Sequence, residues 1–464
     1  MYSLRNTIIA SAALALALPA QAQTIDTAQA RFQPPSVIQY LRPQDKRGIN
    51  VFETPKIAGA EYNGFAVQWG AAFTQGFQGL DHENDADVVL VGGVNRNQLI
   101  SIGNGFNNAS ANMYLHAQLA PGIRVQLTSY LSTRHHNETW VKDGFLQIDA
   151  SPINLPIFNK IMEYTTLKIG HFQVNYGDFQ FRRTDAGQAL YNPFTENSLM
   201  DAFTTEIGTE AVVQANGLFG VVALTNGEIR GNIKDPAKRS PAIMLKGGFD
   251  RQLSEALRVR LSASYRTQES AISNTLYSGD RSGSSYFFVG ENTAATEAAQ
   301  FTSGRVNPGF GDALTAFVIN PFVKFNGLEF FGMYEMATGR GQETGTPLVA
   351  PPERDVTQMM AELVYRFGAG EKFFVGGRYN TVEGQIGQNP TTGATNFNYF
   401  TPGPTFIATE PSVIRTALGA GWFITPSLLL KAEYMNQTYE DFIRSDIRSG
   451  LKISGFTIQA VTAF

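Results

Sequence analysis

Three arginines share one face of the run Leu257 to Arg266: Arg258, Arg260 and Arg266, with Ser262 and Ser264 between them. The opposite face reads Leu257, Val259, Leu261, Ala263 and Tyr265. Strict alternation of this kind is a strand with one apolar face. Ile123 to Arg134 repeats the pattern, with Arg124 and Arg134 opposed to Ile123, Val125, Leu127 and Leu131. So does Ser427 to Tyr439, where Lys431 and Glu433 oppose Leu428, Leu430, Ala432 and Tyr434. A cationic face is out of place over a dry core and natural over water, with the apolar face on lipid. Extending the register collects Lys168, Lys246, Lys324, Arg366, Arg378 and Arg415 on the wet face, beside the acids Glu206, Glu210, Asp250, Glu329, Glu335, Glu362 and Glu433. Such a row can bias ion passage, and Arg or Lys favours anions. It can equally pair laterally and stiffen the wall.

Other chemistry is sparser. Arg182, Arg183 and Asp185, facing Glu196 and Asp201, have the makings of a constriction of opposed charge. Asp81, Glu83, Asp85 and Asp87 alternate, a spacing at which carboxylates can hold Ca²⁺, but the Gly and Glu of an EF-hand are missing and a solvated acidic loop is the simpler reading. His135 and His136 are adjacent and would point apart on a strand, so no metal site is expected. No G-x-S-x-G elbow occurs, and Gly283-Ser284-Ser285 has no nearby His, so neither catalysis nor a cofactor is expected. The chain has no Cys, which removes thiol chemistry and disulfides. A net charge of −4 offers no basic field for nucleic acid.

The elements that must position these residues follow from the same alternation. It predicts sixteen strands, at 62–78, 109–119, 123–134, 138–149, 164–175, 204–215, 218–226, 241–251, 256–268, 311–325, 328–338, 355–367, 372–384, 411–424, 427–439 and 450–464. Tight turns follow even strands, at Pro121-Gly122, Asn216-Gly217, near Ser254, at Asn326-Gly327, Gly368-Ala369-Gly370 and Thr425-Pro426. Longer gaps follow most odd strands. Residues 150–163 are long for a turn and suit a short helix; the link at Asn137 is short for an outer loop. Short turns at one end and long loops at the other mark a transmembrane antiparallel β-barrel of the bacterial outer membrane. Charged residues at only 16% and aromatics at 12% suit that class.

Ile8 to Leu18 is an apolar core of signal-peptide length, followed by Pro19 and the cleavage pattern Ala20-Gln21-Ala22. The expected organisation is a signal peptide over 1–22, a periplasmic extension over 23–61 whose alternative is a lumen plug, and a barrel over 62–464. Phe456, Ile458, Ala460, Thr462 and Phe464 share one face of the last strand. That ending resembles the signal read by the barrel-insertion machinery, with Thr462 as a departure.

Leu167-Lys168-Ile169-Gly170-His171-Phe172-Gln173-Val174-Asn175-Tyr176-Gly177 resembles a segment of the phosphate-selective (O/P type) porin family, in which a strand leads into a pore-constricting loop. Gly170, Phe172, Tyr176 and Gly177 carry the resemblance; Asn175 replaces a Pro and Gln173 a Lys. Asn197-Ser198-Leu199-Met200-Asp201 loosely echoes a second family segment without its Arg. The resemblance implies a homotrimeric diffusion pore whose third loop, 176–203, folds inward, embedded in outer-membrane lipid and lipopolysaccharide. Phosphate selectivity is not implied, because the motif Lys is absent. The sequence thus predicts a porin passing small hydrophilic solutes with weak anion preference. Its rivals are a solute-specific uptake channel for an oligosaccharide or organic acid, supported if Tyr114, Tyr130, Phe331 and Phe374 form an inward aromatic ladder, and a structural or adhesive surface barrel with a closed lumen.

Overall fold

A computed structural model describes residues 36–464 except 55, 58, 136–138, 229–232, 234, 344–346, 348, 349 and 388–409. The expected signal peptide, residues 23–35 and Asn137 lie outside the described residues. The strands are β1 Ala66–Glu83, β2 Gly105–Ala120, β3 Ile123–Ser132, β4 Trp140–Ile148, β5 Thr165–Gln173 and β6 Thr205–Ala215. Next come β7 Leu218–Thr225, β8 Ala242–Gln252, β9 Leu257–Gln268, β10 Leu314–Phe325 and β11 Leu328–Gly339. The barrel ends with β12 Arg354–Phe367, β13 Phe373–Gly384, β14 Ser412–Thr425, β15 Leu428–Glu440 and β16 Lys452–Ala463. Each pairs antiparallel with its sequence neighbour, and β16 closes on β1 from Ala72↔Ala463 to Glu83↔Lys452. Closure leaves no strand edge in the membrane, so every ladder group finds a partner. The Phe464 main chain extends the seam, exchanging hydrogen bonds with Ala71 at 2.9 and 3.0 Å.

The turns explain the register. Asn216 and Gly217 both take positive φ, +51° and +72°, as a two-residue hairpin of this hand requires. The long connection after β4 contains the helix α1, Pro156–Met162. The first two strands differ most from expectation: β2 starts at Gly105 rather than 109. The first strand starts later and runs on through Asp81, His82 and Glu83, which pair with Ser454, Ile453 and Lys452. Charged residues are tolerated there because the strand has risen beyond the apolar band. The four acids therefore do not form one loop. Glu83 and Asp87 instead meet Lys452 at 3.3 Å and Arg444 at 3.0 Å, and no metal-ligating group of three or more occurs among the described residues.

The outward face is apolar. Trp69, Leu127, Ile169, Val222, Leu363, Leu418 and Tyr434 are all exposed there. Tyr365, Phe367, Phe373 and Trp422 stack in series near the short-turn end, with centroids 5.7, 5.7 and 6.3 Å apart. Phe77 contacts Phe106 and Phe456 toward the other end. Apolar girth with aromatic girdles is the surface that lipid requires.

Candidate functional site: the lumen

Among the described residues, three inserted segments occupy the lumen. The first is the described part of the expected periplasmic extension, which the structure lays across the short-turn mouth. Gln39 accepts from the Gly122 amide on its side-chain oxygen and donates its own amide to the Gln118 side-chain oxygen, both at 2.8 Å. Lys46 donates its amide to Pro426 at 3.0 Å. Asn50 reaches Glu329 at 2.7 Å, and Glu53 meets Lys246 at 2.9 Å and Arg260 at 2.8 Å. Lys56 caps the carbonyls of Asp149 and Thr165 at 2.6 and 2.8 Å. These contacts touch turns on opposite sides of the barrel. Phe52, 1% exposed, packs between Phe181 and Phe322. Period-two reasoning could not place this segment because it holds no strand and only the short 3-10 turn Lys46–Gly48.

The second segment is residues 174–204, the third long loop, which folds inward. Gly177, at φ +67°, turns the chain off β5, and its amide donates to Ser264 at 3.0 Å. The loop then meets the wall almost all round. Asp178 takes Arg260 at 2.7 Å and Lys246 at 2.8 Å. Thr195 donates its amide to Glu433 at 2.9 Å, and Lys431 donates to the carbonyls of Ala189, Asn192 and Phe194 at 2.8, 2.9 and 2.6 Å. At Gly187 the loop backbone lies flat on β1 and β2: a Cβ there would fall 2.5 Å from both the Ala72 carbonyl oxygen and the Ala111 Cα.

The third segment, residues 269–313, lies over the second. Arg305 pairs with Glu196 at 2.6 Å and Asp201 at 3.2 Å. Ser284 donates to Glu196 at 2.7 Å and Tyr277 to Glu335 at 2.7 Å. Burial alone would raise the Glu196 carboxyl, but Arg305 and Arg415 bring it below its ordinary value.

The sequence-predicted lumen residues face inward, but these segments cover many of them. Arg378 and Arg366 pair with Glu362 at 2.7 Å and Glu329 at 2.9 Å. Arg258 pairs with Asp250 at 2.6 Å, Lys168 with Glu210 at 2.9 Å, and Arg266 with Glu206. Arg415 ends on Gln437 and on the carbonyls of Asn197 and Gly304. Lys324 bridges Glu329 and Glu371. Arg134, at the tip of β3, donates to Arg281 and Ala298 carbonyls. The lateral network is therefore real, and much of it runs from wall to inserted segment. Tyr114, Tyr130, Phe331 and Phe374 also point inward, but Phe331 is covered by Phe179 and Phe374 lies beside Phe423 rather than in a ladder.

Free space remains beside β2–β5. A cavity of about 210 Å³ toward the short turns is lined by Tyr114 and His116 of β2, Arg124 and Gln126 of β3, Asp143, Phe145 and Gln147 of β4, and Lys168 and Phe172 of β5. Arg42, Gln44, Arg183, Asp185 and Tyr191 of the inserted segments complete it. A second cavity of about 110 Å³ lies toward the long loops, among Tyr130, Lys142, Phe203, Thr205, Asp280 and Arg281. Lys142 of the upper cavity is ion-paired to Asp185 of the lower. A β-bulge makes this partition: Thr128 pairs with Asp143 and Ser129 with Val141, so Lys142 is the extra residue. Lys142 and Asp143 are consequently both turned inward and buried.

Of the five expected constriction residues, only Arg183 and Asp185 line the lower cavity. Arg182 turns to the wall at Glu362, 3.1 Å away, while Glu196 and Asp201 are buried under Arg305. Arg183 reaches Asp201 at 2.6 Å and Asp185 at 3.4 Å. Lys142, His116 and Arg42 escaped the sequence reading. A bulge has no signature in alternation, and Arg42 belongs to a segment without periodicity.

No family model matches the chain, and no curated protein matches it in sequence. Among solved structures it is similar to in-vitro folded OmpT, an outer membrane protein of Vibrio cholerae, in its trimer form: 12% identity, 87% of this chain and 100% of that one, TM-score 0.47. It is also similar to the anion-selective porin from Comamonas acidovorans, at 9% identity over 86% and 100% of the two chains with TM-score 0.46. Pseudomonas putida OprB, in its high-pH structure, gives 8% identity over 86% and 94% with TM-score 0.47. These are likenesses of barrel shape. The fold itself is that of a transmembrane β-barrel, closed by sixteen strands.

Proposed function

We propose that the protein is an outer-membrane channel through which small hydrophilic solutes diffuse passively, with a weak anion preference, along the β2–β5 wall rather than down the barrel axis. The observation that carries this reading is the pair of cavities in line, separated by the Lys142–Asp185 ion pair. The lower cavity is lined by Arg42, Arg124, Lys168 and Arg183 against Asp143 and Asp185, a cationic excess that favours anions. The apolar girth and its aromatic girdles support placement in an outer membrane among lipid and lipopolysaccharide. Export by the 1–22 signal peptide, insertion through the Phe464 terminus and assembly as a homotrimer belong to the same reading. Chemical cross-linking in detergent tests the trimer.

Planar-bilayer recording tests the channel. Single-channel steps with a reversal potential on the chloride side are expected under a KCl gradient. A cation-side reversal potential overturns the anion preference. Absence of any step favours the second reading, a structural barrel with a closed lumen, which the crowding by three inserted segments supports.

A further inference from the structure

We propose that the lower cavity is a binding site for a small carboxylate carried on a flat ring, with Arg124 as partner of the carboxylate. The proposal deepens the channel reading and rests on it for access from solution. Arg124 is 4% exposed, yet it makes no ion pair among the described residues. Its guanidinium ends on the Gln147 side-chain oxygen at 2.7 Å, the Gln126 side-chain oxygen at 3.3 Å and the Tyr40 carbonyl at 3.4 Å, and Nε has no partner. Asp149 and Asp143 act on it only from beyond ion-pair distance, and an incoming carboxylate supplies a direct partner.

A second group points the same way. His116 is 1% exposed and lines the cavity. Gln44 Nε2 lies 3.2 Å from His116 Nε2. With the amide donating, Nε2 is the acceptor and the ring proton is on Nδ1, which has no partner. The side chains of Arg124 and His116, on the adjacent strands β3 and β2, thus line one cavity, each with a buried N–H that no group among the described residues accepts. A carboxylate accepts from both kinds of donor.

The rest of the lining suits a ring. Tyr114 lies nearly parallel to His116, centroids 6.3 Å apart and planes at 20°. Phe172 meets Phe145 edge-on at 6.4 Å. An apolar cavity of about 150 Å³ holds benzene, so about 210 Å³ holds a ring and its carboxylate.

The test uses the intact protein in planar bilayers, with benzoate as probe, benzamide as neutral isostere, and each protein's own chloride current as reference. Benzoate is expected to reduce chloride current saturably, while benzamide does not. Arg124→Gln is expected to raise the half-blocking benzoate concentration by about tenfold, the scale of one lost charge-assisted hydrogen bond. Should Arg124→Gln not fold, His116→Ala carries the same expectation at about threefold, the scale of one neutral hydrogen bond. Equal block by benzoate and benzamide, or an unshifted half-blocking concentration in the folded variant, overturns the proposal. If the wild type carries chloride but benzoate has no effect, the site fails and the channel stands. If no current flows at all, the channel fails, and titration calorimetry of benzoate into the detergent-solubilised protein decides the site separately: tight binding abolished by Arg124→Gln upholds it, and no heat overturns it.

Discussion

Along β8–β15 several inward charges meet partners carried by an inserted segment while others pair within the wall, whereas along β2–β5 the wall faces two cavities. Lys246, Arg260 and Lys431 illustrate the first case: each ends on residues 174–204, and the first two also on Glu53. Arg124 illustrates the second, held by two glutamines and one carbonyl. Both walls are built from the same alternation. What differs is how closely the inserted segments pack on the wall. Two cavities remain where they pack less closely.

The comparison breaks most readily at Arg260. Replacing it by Met leaves Asp178 and Glu53 facing Lys246 alone, and removal of one partner from a buried pair costs about 3–5 kcal/mol. Urea unfolding, followed by loss of the heat-modifiable electrophoretic band, is expected to show that loss. Arg124→Met should cost only about 1–2 kcal/mol, since neutral acceptors are released. Equal losses would erase the distinction between the two walls.

Deleting residues 36–61 comes next. It removes the layer over the short-turn mouth and is expected to raise conductance several-fold, with folding checked by the same electrophoretic shift. Unchanged conductance would mean that the free path already bypasses this layer. A smaller effect is expected at the partition. Asp185→Asn leaves Lys142 and Arg183 without that acid, and should raise the chloride-to-potassium permeability ratio about two- to threefold, the scale of one partly screened charge. A fall in that ratio would place the permeating ions elsewhere.

The smallest effect concerns residues 269–313. Burial raises the Glu291 carboxyl to about 8, against the pull of a Ser303 hydrogen bond and of Arg448. A carboxyl with a raised folded value contributes fully below its ordinary pKa, and that contribution is lost as pH rises through about 8. The Ile100 amide donates to the Glu291 carbonyl at 2.9 Å. Its hydrogen exchange, corrected for intrinsic rate, is expected to quicken between pH 6 and 9, and not in Glu291→Gln. Equal pH sensitivity in that variant would remove Glu291 as the cause.

Sixteen strands, their pairing order and the inward face of Arg258, Arg260, Arg266, Arg378 and Lys431 were all legible in the sequence. Alternation is local, and Asn-Gly turns announce themselves over two residues. The upper end of β1 was not legible, because Asp81 and Glu83 look like loop once the apolar band ends. Nor was the bulge that turns Lys142 inward, since one extra residue leaves the composition of β4 unchanged. The inward fold of 174–204 came from a resemblance around Gly177, and the tertiary structure supplies its reason in the positive φ and the Ser264 contact. Which lumen charge is paired to an inserted segment and which borders a cavity depended on contacts such as Glu53 with Arg260 and Glu196 with Arg305, across more than a hundred residues of chain. Periodicity tells a side chain which face it takes; only the closed barrel, by bringing distant segments into one lumen, decides what it meets there.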